Sequence, residues 1–274
     1  MGKLGWLLLA GMCGACGPTD HRAAPDAPAT IDARAQIDAP SPPVIDAPPV
    51  ASGPVHVVIT TDNAYSFGYG DQATITTFTQ GTRAATAGDI FNCPLGVGPE
   101  AYDIPAASAP DGAFLYIVTW DDLAVTQGVV GQFTRDTGTV LTGDPRFEVC
   151  GTGLDFSSGP NAQTGPDLAT INAQIAICNA GTGDPATTTR GWVNTAGATT
   201  AGALGTLAVG EANDDPSGTF PIACAQTPTA DGVRSDAHWM WYDPGTGADP
   251  FHATGVNTFK AFLIFRLAAA VIIE

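Results

Sequence analysis

Asp243, Asp249 and His252 bracket a glycine-rich turn at the end of "SDAHWMWYDPGTGADPF", residues 235–251, so two carboxylates and an imidazole fall within one short loop. Groups of this kind can hold a ligand through charge-assisted hydrogen bonds or enter the coordination sphere of a cation. The acidic pairs Asp121-Asp122 and Asp214-Asp215, and Glu211, sit in similar turn-like contexts where hard oxygen donors suit Ca²⁺. A structural Ca²⁺ is the one cofactor these residues admit. None of them reproduces a calcium loop, and turns select Asp for its bonds to local backbone in any case. His238 and His252 could converge across the turn, whereas His56 lies on an alternating run and reads as a strand residue. Glycoside hydrolysis needs two carboxyls across a cleft, and in so acidic a chain such a pair proves nothing. There is no Gly-x-Ser-x-Gly elbow, no His-Glu-x-x-His and no glycine-rich phosphate loop, so the expectation is a protein that is not an enzyme.

The elements that must position these groups are strands. "VHVVITTDNAYSFGYG" (55–70), "GAFLYIVTWDD" (112–122), "GVVGQFTRDTG" (128–138), "HWMWYD" (238–243) and "FKAFLIFRLAAAVIIE" (259–274) are rich in β-branched and aromatic residues and are separated by Gly, Asp, Asn and Pro. An all-β fold follows, a β-sandwich or jelly roll with at most one or two short helices. "GPDLATINAQIAICNAG" (165–181) is a helix candidate, with Leu168, Ile171, Ile175 and Cys178 at helical spacing, Pro166 near its start and Gly181 after its end; "AQIAIC" also reads as a strand. The apolar tail from residue 262 is broken by Arg266 and is too short to span a bilayer, so it reads as the last strand. Alternation in "HWMWYD" sends Trp239 and Trp241 to one face and His238, Met240 and Tyr242 to the other. Two indoles on one sheet face make a large apolar contribution, and we read them as core; ligand contacts are then expected from the turn Asp243 to Phe251.

The N-terminus specifies location. Residues 1–16, "MGKLGWLLLAGMCGAC", have one lysine, an apolar run and a small-residue end, the order of a secretory signal. "GAC" at 14–16 resembles the lipobox of bacterial lipoproteins, which makes Cys16 the acylated residue, with Cys13 as the alternative. Cys13 to Cys16 also matches C-x-x-C, but neither a redox helix nor a second ligand pair accompanies it. Residues 17–54 are rich in Pro, Ala and Asp and carry a loose "IDAP" repeat, the composition of a disordered linker; residues 55–274 form the single β domain. The expected site is the bacterial envelope, as an outer membrane lipoprotein held only by its lipid, with plain secretion as the alternative. An exported chain with Cys93, Cys150, Cys178 and Cys224 should form two disulfides, since an oxidising compartment preserves them. Of the three possible connectivities the preferred one is Cys93–Cys150 with Cys178–Cys224, which encloses separate halves. With 27 acidic against 10 basic residues and a net charge of −17, nucleic acid is not an expected partner.

The tether resembles the linkers of surface lipoproteins from myxobacteria and their relatives. "VVITTDNAYSFGYGD" (57–71), "YDIPAASAPDGAFLYIVTWDD" (102–122), and "GWVN" (191–194) followed by "HWMWYDPG" and "FLIFR" (262–266) are similar to segments of bacterial galactose-binding-like jelly-roll modules. The chain departs from that pattern where "YGD" at 69–71 replaces an Asn-Gly turn, and no sugar-contacting or calcium-coordinating set carries over. The resemblance implies a binding or adhesion role at the cell envelope, toward a glycan or an envelope protein. The alternatives are a structural envelope component without a soluble ligand and a secreted hydrolase with an unrecognised site.

Overall fold

Strand after strand in this chain is buried on both sides, which requires more than two layers. The computed structural model describes residues 53–62, 64–80, 91, 99–120, 126–156, 164–182, 191–214, 218–224, 232–252 and 261–273. The signal reading, Cys16 and all of the linker reading except residues 53 and 54 lie outside them. The strands among the described residues are β1 Val55–Asp62, β2 Ala64–Gly70, β3 Ile75–Gln80, β4 Glu100–Ile104, β5 Phe114–Trp120, β6 Gly128–Arg135, β7 Gly138–Leu141, β8 Glu148–Asp155, β9 Val193–Asn194, β10 Gly197–Ala198, β11 Thr206–Ala212, β12 His238–Asp243 and β13 Ala261–Ala268. One sheet runs β11-β12-β6-β1-β4 with β7 alongside β6, and the other β10-β9-β8-β13-β5-β2-β3. Among the described residues the strand pairings are antiparallel, from β1 against β4 and β6 to β13 against β5 and β8. The "VHVVITTDNAYSFGYG" run therefore supplies a strand to each sheet, β1 to the first and β2 to the second.

Alternation explains the core between the sheets. Val55, Val57 and Ile59 of β1, Val129 and Phe133 of β6, Tyr65 and Phe67 of β2 and Leu263, Phe265 and Leu267 of β13 meet in one buried cluster. On these four strands the odd-numbered positions face inward, as a period of two demands. The even-numbered positions are buried too, because each outer face is covered. On the second sheet Tyr116, Val118, Phe262 and Ile264 pack with Ile171, Ile175 and Cys178 of the helix α1, Leu168–Ala180. On the first sheet Val58, Val130 and Trp239 pack beneath Phe220, Ala223, Val233 and Ala237 from the segment before β12.

Helix α1 bears out the helical alternative for 165–181. Asp167 caps it, accepting from the Thr170 amide at 2.8 Å. Gly181 ends it at φ 64°, a left-handed conformation that glycine adopts without a Cβ penalty. From the same helix Asn172 reaches the end of β3: its Oδ1 accepts from the Ile75 amide at 2.8 Å and its Nδ2 donates to the Ile75 carbonyl at 3.1 Å.

The disulfide pairing differs from the expected one. Cys150 of β8 is bonded to Cys178 of α1, with Cα atoms 6.3 Å apart, which overturns both Cys93–Cys150 and Cys178–Cys224. Enclosing separate halves of the chain was the wrong criterion. The apolar stripe of α1 lays Cys178 against the outer face of the second sheet, where Cys150 sits in the same cluster. Cys224 is also disulfide-bonded, and Cys93 lies outside the described residues. Bridging a sequence separation of 28 restricts the unfolded chain, so Cys150→Ala with Cys178→Ala should cost about 2–4 kcal/mol in chemical denaturation.

The two tryptophans of β12 are core, both without exposed surface, but they do not share a cluster. Trp239 lies beneath the outer segment, stacked on Phe220 with centroids 4.1 Å apart, while Trp241 enters the central core against Phe265 at 6.2 Å. A Cβ on Gly128 would come within 2.8 Å of the Trp239 ring, so only glycine lets the indole lie this close to β6. No helix among the described residues is long and apolar enough to cross a membrane.

Candidate functional site

The turn after β12 binds itself. Asp243 Oδ1 accepts from the Gly245 amide at 2.7 Å, and Asp249 Oδ1 accepts from the Phe251 amide at 2.9 Å. Asp249 and His252 do come together, Oδ2 to Nδ1 at 2.6 Å, on a largely exposed surface. His252 also forms a backbone bridge with Thr126. Asp243 is not part of that pair. His238 bonds through Nδ1 to the Gly210 carbonyl at 2.8 Å, so the two histidines of the turn take separate partners. Glu211 spends both oxygens on the Thr219 and Phe220 amides, at 2.7 and 2.5 Å, pinning the segment that covers Trp239. Asp214 is exposed in the turn after β11, and Asp121, Asp122 and Asp215 lie outside the described residues. Among the described residues no three His, Cys, Asp or Glu gather as a metal would require. His56 pairs with Asp103 across β1 and β4, Nδ1 to Oδ1 at 2.8 Å, as a strand residue does.

Two polar networks were not legible in the sequence. Tyr65 and Tyr102 both donate to Glu100 Oε2, at 2.7 and 2.6 Å, with the phenol oxygens 3.0 Å apart. Burial, with the carboxylate and the second phenol adding to it, holds the Tyr65 hydroxyl far above its ordinary pKa, so it stays a donor. The other network centres on Arg266 of β13, whose Nε donates to Glu148 at 2.6 Å and whose NH1 donates to Asn179 at 3.0 Å. Its guanidinium lies 3.8 Å over the Trp192 ring and 5.1 Å from Phe114. Trp192 Nε1 donates to the same Asn179 oxygen, and Asn179 Nδ2 donates to the Gln72 carbonyl. Arg266 is 6% exposed, so this is a structural clamp joining β13, β8, α1 and the β2–β3 turn.

That turn forms one wall of a groove of about 310 Å³ lined by Tyr69, Asp71, Thr77, Ser108 and neighbouring small residues. Asp71 Oδ1 accepts from the Ala73 and Thr74 amides, both at 2.8 Å, and these bonds hold its carboxyl below the usual range. The Tyr116 hydroxyl donates to the Asp71 carbonyl at 2.6 Å and fixes the turn from beneath. Opposite, the segment 105–113 is anchored by Arg135, a buried cation whose guanidinium donates to the carbonyls of Ala109 and Ala269. The Ala269 amide returns a bond to Ala113 at 2.8 Å. Both walls are thus set by buried side chains. The lining residues were not among those expected from sequence; the only trace of them was "YGD" standing where an Asn-Gly turn was anticipated. No family model matches the chain, and neither does any curated protein or solved structure.

Proposed function

We propose that the protein is an exported lipoprotein, acylated at Cys16 and held at the bacterial envelope, whose β-sandwich binds a glycan or an envelope protein without catalysis. The observation that carries the binding role is the groove beside Tyr69: a half-buried aromatic ring, several hydroxyls and one ionised carboxylate between fixed walls. Asp71 is the one carboxylate among the described residues of the lining, where glycoside hydrolysis needs two. The acidic balance of the chain disfavours polyanionic ligands. The similarity of the tether to linkers of myxobacterial surface lipoproteins, and of the strand segments to galactose-binding-like modules, supports the same reading.

Mass spectrometry of the mature chain tests the anchor. The expected result is loss of residues 1–15 and an acyl-bearing Cys16; an unmodified N-terminus at another residue removes the lipoprotein assignment. A glycan array together with capture from envelope extract tests the binding role. Turnover of any polysaccharide by the purified chain would overturn the non-catalytic reading in favour of a hydrolase.

A further inference from the structure

The two sheets do not end together, and the mismatch opens a trench. At this side of the sandwich the first sheet stops at β4 and the second at β3. Register places Thr79 beside Phe67 and Thr77 beside Tyr69, so the two threonines continue the inward face of β2 onto β3. Along β2 that face changes steadily: Tyr65 and Phe67 are buried in the core, and Tyr69 is half-buried against it. On β3 it is bare, with Thr77 and Thr79 both exposed. Tyr102 of β4 closes the inner side, its ring 4.5 Å from that of Phe67 and its hydroxyl tied to Glu100. The groove at Tyr69, Asp71 and Ser108 is the open end of this trench.

We infer that the trench is a binding site for a chain of neutral sugar units, a proposal that rests on the reading of the protein as an envelope binding module. The half-exposed Tyr69 ring offers an apolar face against which a pyranose can stack. Thr77, Thr79 and Ser108 present hydroxyls that both donate and accept, matching a ligand made of hydroxyls. Thr77 and Thr79 repeat along β3 at about 7 Å, a periodic floor suited to an extended chain. Asp71 keeps its charge, and its Oδ2 supplies a strong acceptor for a sugar hydroxyl. Among the described residues no Lys, Arg or His lines the groove, so phosphorylated or uronic chains find no counter-charge in them. Because Tyr116, Asn179 and Arg135 hold the walls, the site is formed before ligand arrives, which lowers the ordering cost of binding a weakly hydrophobic partner.

Calorimetric titration of the full mature chain with a panel of linear neutral hexasaccharides, glucans, mannans and galactans, tests the site. The expected result is binding of at least one of them, weakened about ten-fold or more by Tyr69→Ala and much less by Tyr69→Phe, which keeps the ring. Thr77→Arg, at an exposed position that leaves the fold intact, should abolish binding by filling the trench. Retention of sugar binding by both Tyr69→Ala and Thr77→Arg would overturn the trench while leaving a sugar-binding protein. Loss on Asp249→Asn instead would move the site to the turn after β12. Failure of every sugar to bind, with capture of an envelope protein that Thr77→Arg prevents, would overturn the sugar chemistry and show a protein-docking surface.

Discussion

Trp239→Ala is expected to lower unfolding free energy by about 3–5 kcal/mol, read from urea denaturation followed by circular dichroism. The indole is fully buried, stacked on Phe220, approached edge-on by Phe91 at 6.1 Å, and seated over Gly128. Its removal empties the space between the first sheet and the segment that covers it. That segment has little core of its own: it is held by Glu211 on the Thr219 and Phe220 amides and by Asn213, which bonds Ala223 and Val233. Collapse around the missing ring is therefore limited, and the cavity remains. Trp241 provides the contrast. Its Nε1 is buried without a hydrogen-bond partner, so Trp241→Phe removes an unsatisfied donor as well as volume, and the net change should be about 1 kcal/mol or less. Equal costs for the two substitutions would show that the two rings are not packed as described.

Arg266→Ala is expected to be as damaging, about 3–5 kcal/mol, because it strands Glu148 at a site where that side chain is 19% exposed. It also uncovers the Trp192 face and frees one of the three groups that converge on Asn179. Arg266→Met together with Glu148→Leu should recover much of the loss, since an apolar pair needs no desolvated charge. A double-mutant cycle by chemical denaturation measures the coupling, expected at 1 kcal/mol or more. Strict additivity of the two single substitutions would mean that the bond at 2.6 Å carries no net stability.

The strands that were legible in the sequence are the central ones. β5, β6, β12 and β13 pair residues such as Ile117, Phe133, Met240 and Phe265 with β-branched neighbours, and their alternation needs no context. β8 was hidden by Gly151 and Gly153, and β4 by its acids, because Glu100 becomes intelligible only beside Tyr65 and Tyr102 from elsewhere in the chain. The indoles of β12 were readable as core, but not their division between two clusters. The layer over Trp239 comes from a stretch with no periodicity, held by single side chains such as Asn213 rather than by a pattern. The disulfide was misjudged for a related reason: chain separation says little about which face a helix lies on. Acidic turns attracted notice as ligand sites, yet Asp243, Asp249 and Glu211 use their oxygens on nearby amides. The groove at Tyr69 drew none, since threonines and a tyrosine on an edge strand carry no distinctive signature.

The carboxamide of Asn172 has a bearing on crowding. A sheet that ends in an uncharged, threonine-rich strand is a template for lateral zipping between identical molecules. By occupying both backbone groups of Ile75, Asn172 takes the rung from which such a ladder would start. With that rung taken, a second copy has one fewer place on β3 from which to extend the sheet.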